Sequence, residues 1–194
     1  MEKVNLGKNL FVYPMPVTLL GTKNGEAADF MALGWLSRAN GNPPLLVAGV
    51  NKAHLTTQLL KENKAFSINY PTEDMIKEVD YCGLVSGRKE DKSKLFTIEY
   101  GELEDAPLIK ECPLSLECKL VDIYEMPTHN LFVGEIIASY AHEKILTDGK
   151  PDMGKLNPLL LTMPDNNYWT MGEKIGKAWN IGLELKKMRD NKKY

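Results

Sequence analysis

Residues 114–140 can be built into very few folds. Leu114, Leu116, Cys118 and Leu120 alternate with Glu117 and Lys119. That period of two marks a strand with one face in a core, because successive strand side chains point to opposite faces. Glu117 and Lys119 are accordingly expected to face water. Residues 131–140 follow and are apolar on nearly both faces, Glu135 apart. A strand of that kind needs cover on both sides, which suits a barrel wall backed by another element or another subunit. Pro127-Thr128-His129-Asn130 between the two reads as a hairpin turn.

The same grammar runs upstream. Residues 17–22 read as a strand, Asn24-Gly25 as a hairpin signal, and 27–31 as the returning strand. Residues 38–44 contain Asn40-Gly41-Asn42-Pro43-Pro44 and read as a loop, with a short buried strand at 45–50 behind it. A helix capped by Asn51 presents Leu55, Leu59 and Leu60 on one face and ends at Asn63. Residues 65–70 return as a strand. Thr72 caps a second helix, with Glu73 and Asp74 in its first turn and Met75, Val79 and Cys82 as its apolar face. Residues 86–94 form a polar loop, and 172–188 a C-terminal helix with Ile175, Trp179 and Leu183 on one side.

Many strands with a few peripheral helices predict a mainly β protein, an antiparallel β-barrel with helical attachments. Helices do not alternate with strands and no G-x-G-x-x-G occurs, which argues against a doubly wound parallel sheet. The 194 residues show no repeat or linker, so residues 1–194 are expected to form one domain.

Charge and cysteine usage narrow the function classes. The net charge of −2 provides no surplus for a polyanion, so nucleic acid is not an expected partner. No signal-like apolar segment opens the chain, and its longest apolar run, 45–50, is too short for a bilayer; no membrane association is expected. Cys82, Cys112 and Cys118 then read as free thiols of a cytoplasmic protein. They lack C-x-x-C spacing, and His54, His129 and His142 fall in separate elements, so a metal centre is not expected. A hydrolase nucleophile elbow is absent from the sequence.

Three places could carry chemistry. Gly49-Val50-Asn51-Lys52, with Thr56 one turn on, is a strand-to-helix junction where N–H groups and a cation could meet a phosphate; from pattern alone an ordinary capped helix with a solvated lysine is the favoured reading. Ser86-Gly87-Arg88-Lys89-Glu90-Asp91-Lys92 could wrap a phosphate or be a solvated charged loop. Trp35 is a core anchor or a wall for a flat ligand, and His129 an exposed turn histidine or a donor to an anionic ring.

These residues form part of an ordered set. Tyr13-Pro14-Met15-Pro16-Val17 is followed by Asp29-Phe30-Met31-Ala32-Leu33-Gly34-Trp35, by Pro43-Pro44, and by Asn51-Lys52-Ala53-His54-Leu55-Thr56. Then come Phe66-Ser67-Ile68-Asn69-Tyr70-Pro71, Asp80-Tyr81-Cys82-Gly83, the 86–92 loop, His129 and Phe132-Val133-Gly134-Glu135-Ile136. Over nearly the whole chain this order resembles the flavin reductase-like family. The resemblance implies an FMN-binding split barrel, a homodimer, and electron transfer through FMN from NAD(P)H or to a redox protein partner; a non-catalytic flavin carrier or sensor is the alternative. By position it implies that Asp29, Met31 and Trp35 lie by the flavin ring. Asn51, Lys52 and Thr56 would serve the ring edge or phosphate tail; Ser86, Gly87 and Lys92 would hold the phosphate, and His129 would face the ring. No side chain is assigned a catalytic role, because the flavin carries the chemistry. Asp29, Ala32 and Gly34 depart from the family pattern of Asn and hydroxyl residues, and a free carboxylate by the ring would lower the flavin's potential.

Overall fold

The computed structural model describes residues 1–190 and is dominated by one antiparallel seven-stranded sheet. Its strands are β1 (Thr18–Asn24), β2 (Ala27–Leu33), β3 (Leu36–Asn40), β4 (Leu45–Asn51), β5 (Ala65–Tyr70), β6 (Leu114–Glu125) and β7 (His129–Ala141). They lie in the order β2-β1-β5-β6-β7-β4-β3. The two edge strands are consecutive in sequence, joined only by Gly34 and Trp35, so the sheet curls until its ends approach each other. Inside the curl Leu20, Leu33, Ala48, Val50, Phe66, Ile68 and Phe132 make the main core.

Two helices cover the remaining openings. α1 (Leu55–Asn63) buries Leu59 and Leu60 and stops where Lys64 turns left-handed, its N–H returning to the Leu60 carbonyl. α2 (Ile76–Leu84) follows a 3-10 turn, Glu73–Met75, and sets Val79 and Cys82 against Val17, Leu19, Ala28 and Phe30. Each fully buried aliphatic side chain there contributes roughly 1.5–3 kcal/mol. A connection spanning 96–113 packs on the outside of β5. Asn69 fixes it, accepting from the Ile109 N–H at 3.0 Å and the Ser115 hydroxyl at 2.7 Å. A short helix α3 (Met153–Leu156) and a three-stranded sheet of Met15–Pro16, Leu160–Thr162 and Asn167–Trp169 complete the periphery.

Several expectations need correction. Glu117 does not face water: it is fully buried, because the 96–113 connection covers the face of β6 that its alternation leaves polar. Strand β3 continues to Asn40, so only 41–44 turn. The first hairpin turns on Gly25 and Glu26, with Asn24 paired to Ala27, and Gly25 takes the positive φ that the tight turn demands. His54, not Asn51, holds the N-cap position of α1. Within the single chain β7 buries one face, through Asn130, Phe132 and Gly134, and half-covers the other, the side that the expected second subunit would cover. The C-terminal helix, α4, spans only Leu183–Asp190. Residues 172–182 are non-helical, and Ile175 and Trp179 are 95% and 98% exposed. Gly172, Gly176 and Gly182 weaken helix there, and no core within one chain rewards the apolar stripe.

Candidate functional site

Asp29 lies at the centre of a buried polar cluster. It points from β2 into the space beneath α1 and the 86–92 loop and is 2% exposed. The Thr56 hydroxyl, on the first turn of α1, donates to its Oδ2 at 2.6 Å. Lys92 Nζ, 3% exposed, stands 3.4 Å from its Oδ1. Burying two charges is costly unless they are paired; here Lys92 faces Asp29, which also accepts from Thr56. Gly87 passes directly over the carboxylate, and a Cβ there would fall on Oδ1 and lie 3.2 Å from Leu55 Cδ2.

Above this cluster opens a pocket of about 200 Å³ lined by Met31, His54, Cys82, Ser86, Gly87 and Lys92, among others. The loop over it is held by its own turns. The Ser86 carbonyl accepts from Lys89 N–H at 2.9 Å and Glu90 N–H at 3.2 Å, and Asp91 caps the 3-10 turn Lys92–Leu95 through Ser93 N–H.

The entrance to α1 forms the second half. The Asn51 side chain accepts from Ala53 N–H at 2.9 Å and its carbonyl from the Thr57 hydroxyl at 2.8 Å, so Asn51 shapes the turn into the helix. Lys52 has an exposed side chain, while its N–H donates to the Thr128 carbonyl at 3.1 Å and ties this turn to the one between β6 and β7. His129, paired with Asn51, stacks on Trp35 with ring centroids 4.3 Å apart and planes 24° from parallel. Trp35 lies across β4 at Gly49, where a Cβ would sit 3.0 Å from the indole. The indole borders an apolar cavity of about 720 Å³ together with Phe11, Tyr13, Met15, Leu131 and Met163.

Met31, Ser86, Gly87 and Lys92 thus line the small pocket, with Asp29 and Thr56 buried beneath them. Trp35, His129, Asn51 and Lys52 gather at the entrance to α1, and of these Trp35 also lines the apolar cavity. Asp29 itself is the floor of the cluster rather than an open carboxylate, and its charge is met by Lys92.

His54 joins the two halves and was absent from the sequence-based site. Loss of water around its ring, then the charges of Lys92 and His129, hold its pKa below the ordinary 6.5, while Asp29 pulls the other way. The imidazole is therefore neutral near pH 7. Its signal was its place within the Asn51–Thr56 motif. The thiols are not reactive groups: all three are buried, and burial pushes Cys82 up to about 11 and Cys118 up to about 12. Among the described residues no group of His, Cys, Asp or Glu side chains could hold a metal ion, and no helix is long and apolar enough to cross a membrane.

A curled antiparallel sheet with this cluster at its rim defines a class. The chain belongs to the flavin reductase-like family: the Flavin reductase like domain matches residues 10–162. Within it, the chain is 56% identical to flavoredoxin from Methanosarcina acetivorans, with a TM-score of 0.93 over 95% of this chain and all of that one. It is 34% identical to flavoredoxin of Desulfovibrio vulgaris (Miyazaki F), with a TM-score of 0.87 over 93% of this chain and all of that one. An uncharacterized protein of Archaeoglobus fulgidus is 33% identical over 145 residues, 74% of this chain and 81% of its own. A split barrel domain protein from Shewanella frigidimarina, 19% identical with a TM-score of 0.75 over 84% of this chain and 85% of its own, shares the fold. The mainly β split barrel and a flavin-associated redox function follow from this membership.

Proposed function

We propose that the protein binds FMN and passes electrons through it, taking them from NAD(P)H or from a redox protein. The observation that carries the reading is the convergence of Lys92, Ser86 and Gly87 on one pocket, with His54 leading from it toward a Trp35 indole packed against Gly49 and stacked on His129. These residues fit the group. A phosphate calls for a cation, hydroxyls and unobstructed N–H groups, and a tricyclic ring calls for a flat apolar wall. When bound, FMN supplies the electron-transfer chemistry. The protein's part is to grip the tail with Lys92, Ser86 and Gly87, Thr56 holding Asp29 beneath them, and to place the ring with Met31, Trp35, Asn51, Lys52 and His129. Neutral His54, between tail and ring, can donate or accept a hydrogen bond without adding charge.

Pure protein is expected to be yellow, or to become so on adding FMN. Stopped-flow mixing with NADH and NADPH then separates the roles. Rapid bleaching of the flavin band identifies a reductase, whereas reduction by a partner protein alone identifies a carrier. A protein that takes up no FMN would overturn the reading.

We further infer a homodimer. Val4, Leu6, Leu10, Phe11 and Val12 near the N-terminus are exposed in the single chain, as are Ile175, Trp179, Ile181, Leu185 and Met188. Apolar surface on that scale marks an interface, and a second copy is the cover that the two-sided apolar pattern of β7 calls for. Light scattering is expected to give twice the chain mass; a monomer at working concentration would reject it.

A further inference from the structure

We propose that Asp29 is the positioning residue of the 86–92 loop, pinning it in the shape that receives the phosphate of the bound flavin. The proposal rests on the reading of this pocket as an FMN site.

Both feet of the loop stand on one carboxylate. Gly87 crosses Oδ1 so closely that no side chain fits between them, and Lys92, at the far end, is paired with the same oxygen at 3.4 Å. The other oxygen is held by Thr56, so the carboxylate cannot swing away to follow the loop. Residues 88–91, all exposed, form an arc between two fixed points. Holding both ends of a short arc removes most of the freedom that the loop would lose again on gripping an anion.

The charge of Asp29 matters as well as its shape. An asparagine could still accept from Thr56 with its oxygen. Its amide would then face Lys92, placing a donor against a cation that has only donors. The near-absence of exposure on Lys92 leaves it little water to turn to. Lys92 would move off, and the second foot of the loop with it. Seen this way, the departure at position 29 is a substitution that changes how the loop is held rather than how the ring is tuned.

The test compares FMN with riboflavin, which has the same ring and no phosphate, in the wild type and in Asp29→Asn. Asp29→Asn is expected to weaken FMN binding by about tenfold, the scale of one charge-assisted hydrogen bond, and to leave riboflavin binding as it was. Equal weakening of both ligands would mean general damage to packing and would overturn the proposal. Unchanged or tighter FMN binding would overturn it too, the latter by showing that Asp29 competes for Lys92. Amide exchange of residues 86–92 in flavin-free protein is expected to accelerate in the variant; unchanged exchange counts against the latch. If Asp29→Asn does not fold, Thr56→Val, which frees the carboxylate's other oxygen without touching a charge or the loop, decides by the same ligand comparison. If the wild type bound neither ligand, the FMN reading would fall, and the exchange rates alone would uphold or overturn the pinning of the loop.

Discussion

Lys92→Ala is expected to lower the melting temperature by roughly 6–20 °C, the equivalent of about 3–5 kcal/mol lost from a chain of this size. The reason is the partner left behind. Asp29 is 2% exposed, and with Lys92 gone its carboxylate keeps only the Thr56 hydroxyl as a close donor. An uncompensated charge in that position has no water to recover its hydration. Removing both charges at once should cost far less, because a neutral pair of similar volume carries no desolvation penalty. The double variant Asp29→Asn, Lys92→Met is therefore expected to melt well above Lys92→Ala. Thermal melts of the wild type, Asp29→Asn, Lys92→Met and the double variant form a cycle that isolates the coupling. A Lys92→Ala protein that melts with the wild type, or a double variant no better than the single, would show that the two charges do not depend on each other. Lys92→Ala is also expected to loosen FMN, but that loss cannot be separated from the damage to the cluster.

The reach of the sequence differed by element, for physical reasons. Strands β1, β2, β4 and β5 were legible because each carries a local signal, an apolar run ended by Gly, Pro or Asn. The apolar face of α2, Met75, Val79 and Cys82, was legible from its spacing alone and is buried as expected. The C-terminal helix is shorter than its periodic apolar residues predict, because nothing in the chain covers them. Ile175 and Trp179 are spaced for a helix face yet touch no core of their own chain. At the site, Lys92, Thr56, Ser86 and Gly87 could be named from motif order. Their dependence on Asp29 could not, because a contact between β2, α1 and a loop some sixty residues further on has no local trace. The stacking of His129 on Trp35 was hidden for the same reason: each looks like a lone surface residue until strand register sets them together.

Glu117 shows most sharply what alternation conceals, and it yields the second large effect. Its Oε1 accepts from Gly101 N–H at 3.0 Å and Leu103 N–H at 3.3 Å. Its Oε2 accepts from Glu102 N–H at 2.8 Å and from the Tyr140 hydroxyl at 3.1 Å. One side chain of β6 thus clamps three successive residues of the outer connection, and Tyr140 closes the clamp from β7. Further along, the Ala106 side chain is fully buried, and the Ser67 hydroxyl donates to the Pro107 carbonyl. Without the carboxylate the residues at 101–103 have no structural partner for their N–H groups and must open to water. Glu117→Ala is expected to cost about 3 kcal/mol, the sum of a few orphaned donors at one or more kcal/mol each less what solvent restores. Glu117→Gln keeps one acceptor oxygen but turns an NH₂ toward N–H donors, so it should recover only part of that loss. Urea unfolding measures both, and amide exchange at Gly101, Glu102 and Leu103 locates the effect. The account fails if Glu117→Ala unfolds at the wild-type midpoint, or if exchange quickens across the whole barrel while those three amides show no extra change. A carboxylate on the supposedly wet face of an alternating strand would then be a passenger under the connection instead of the group that fastens it down.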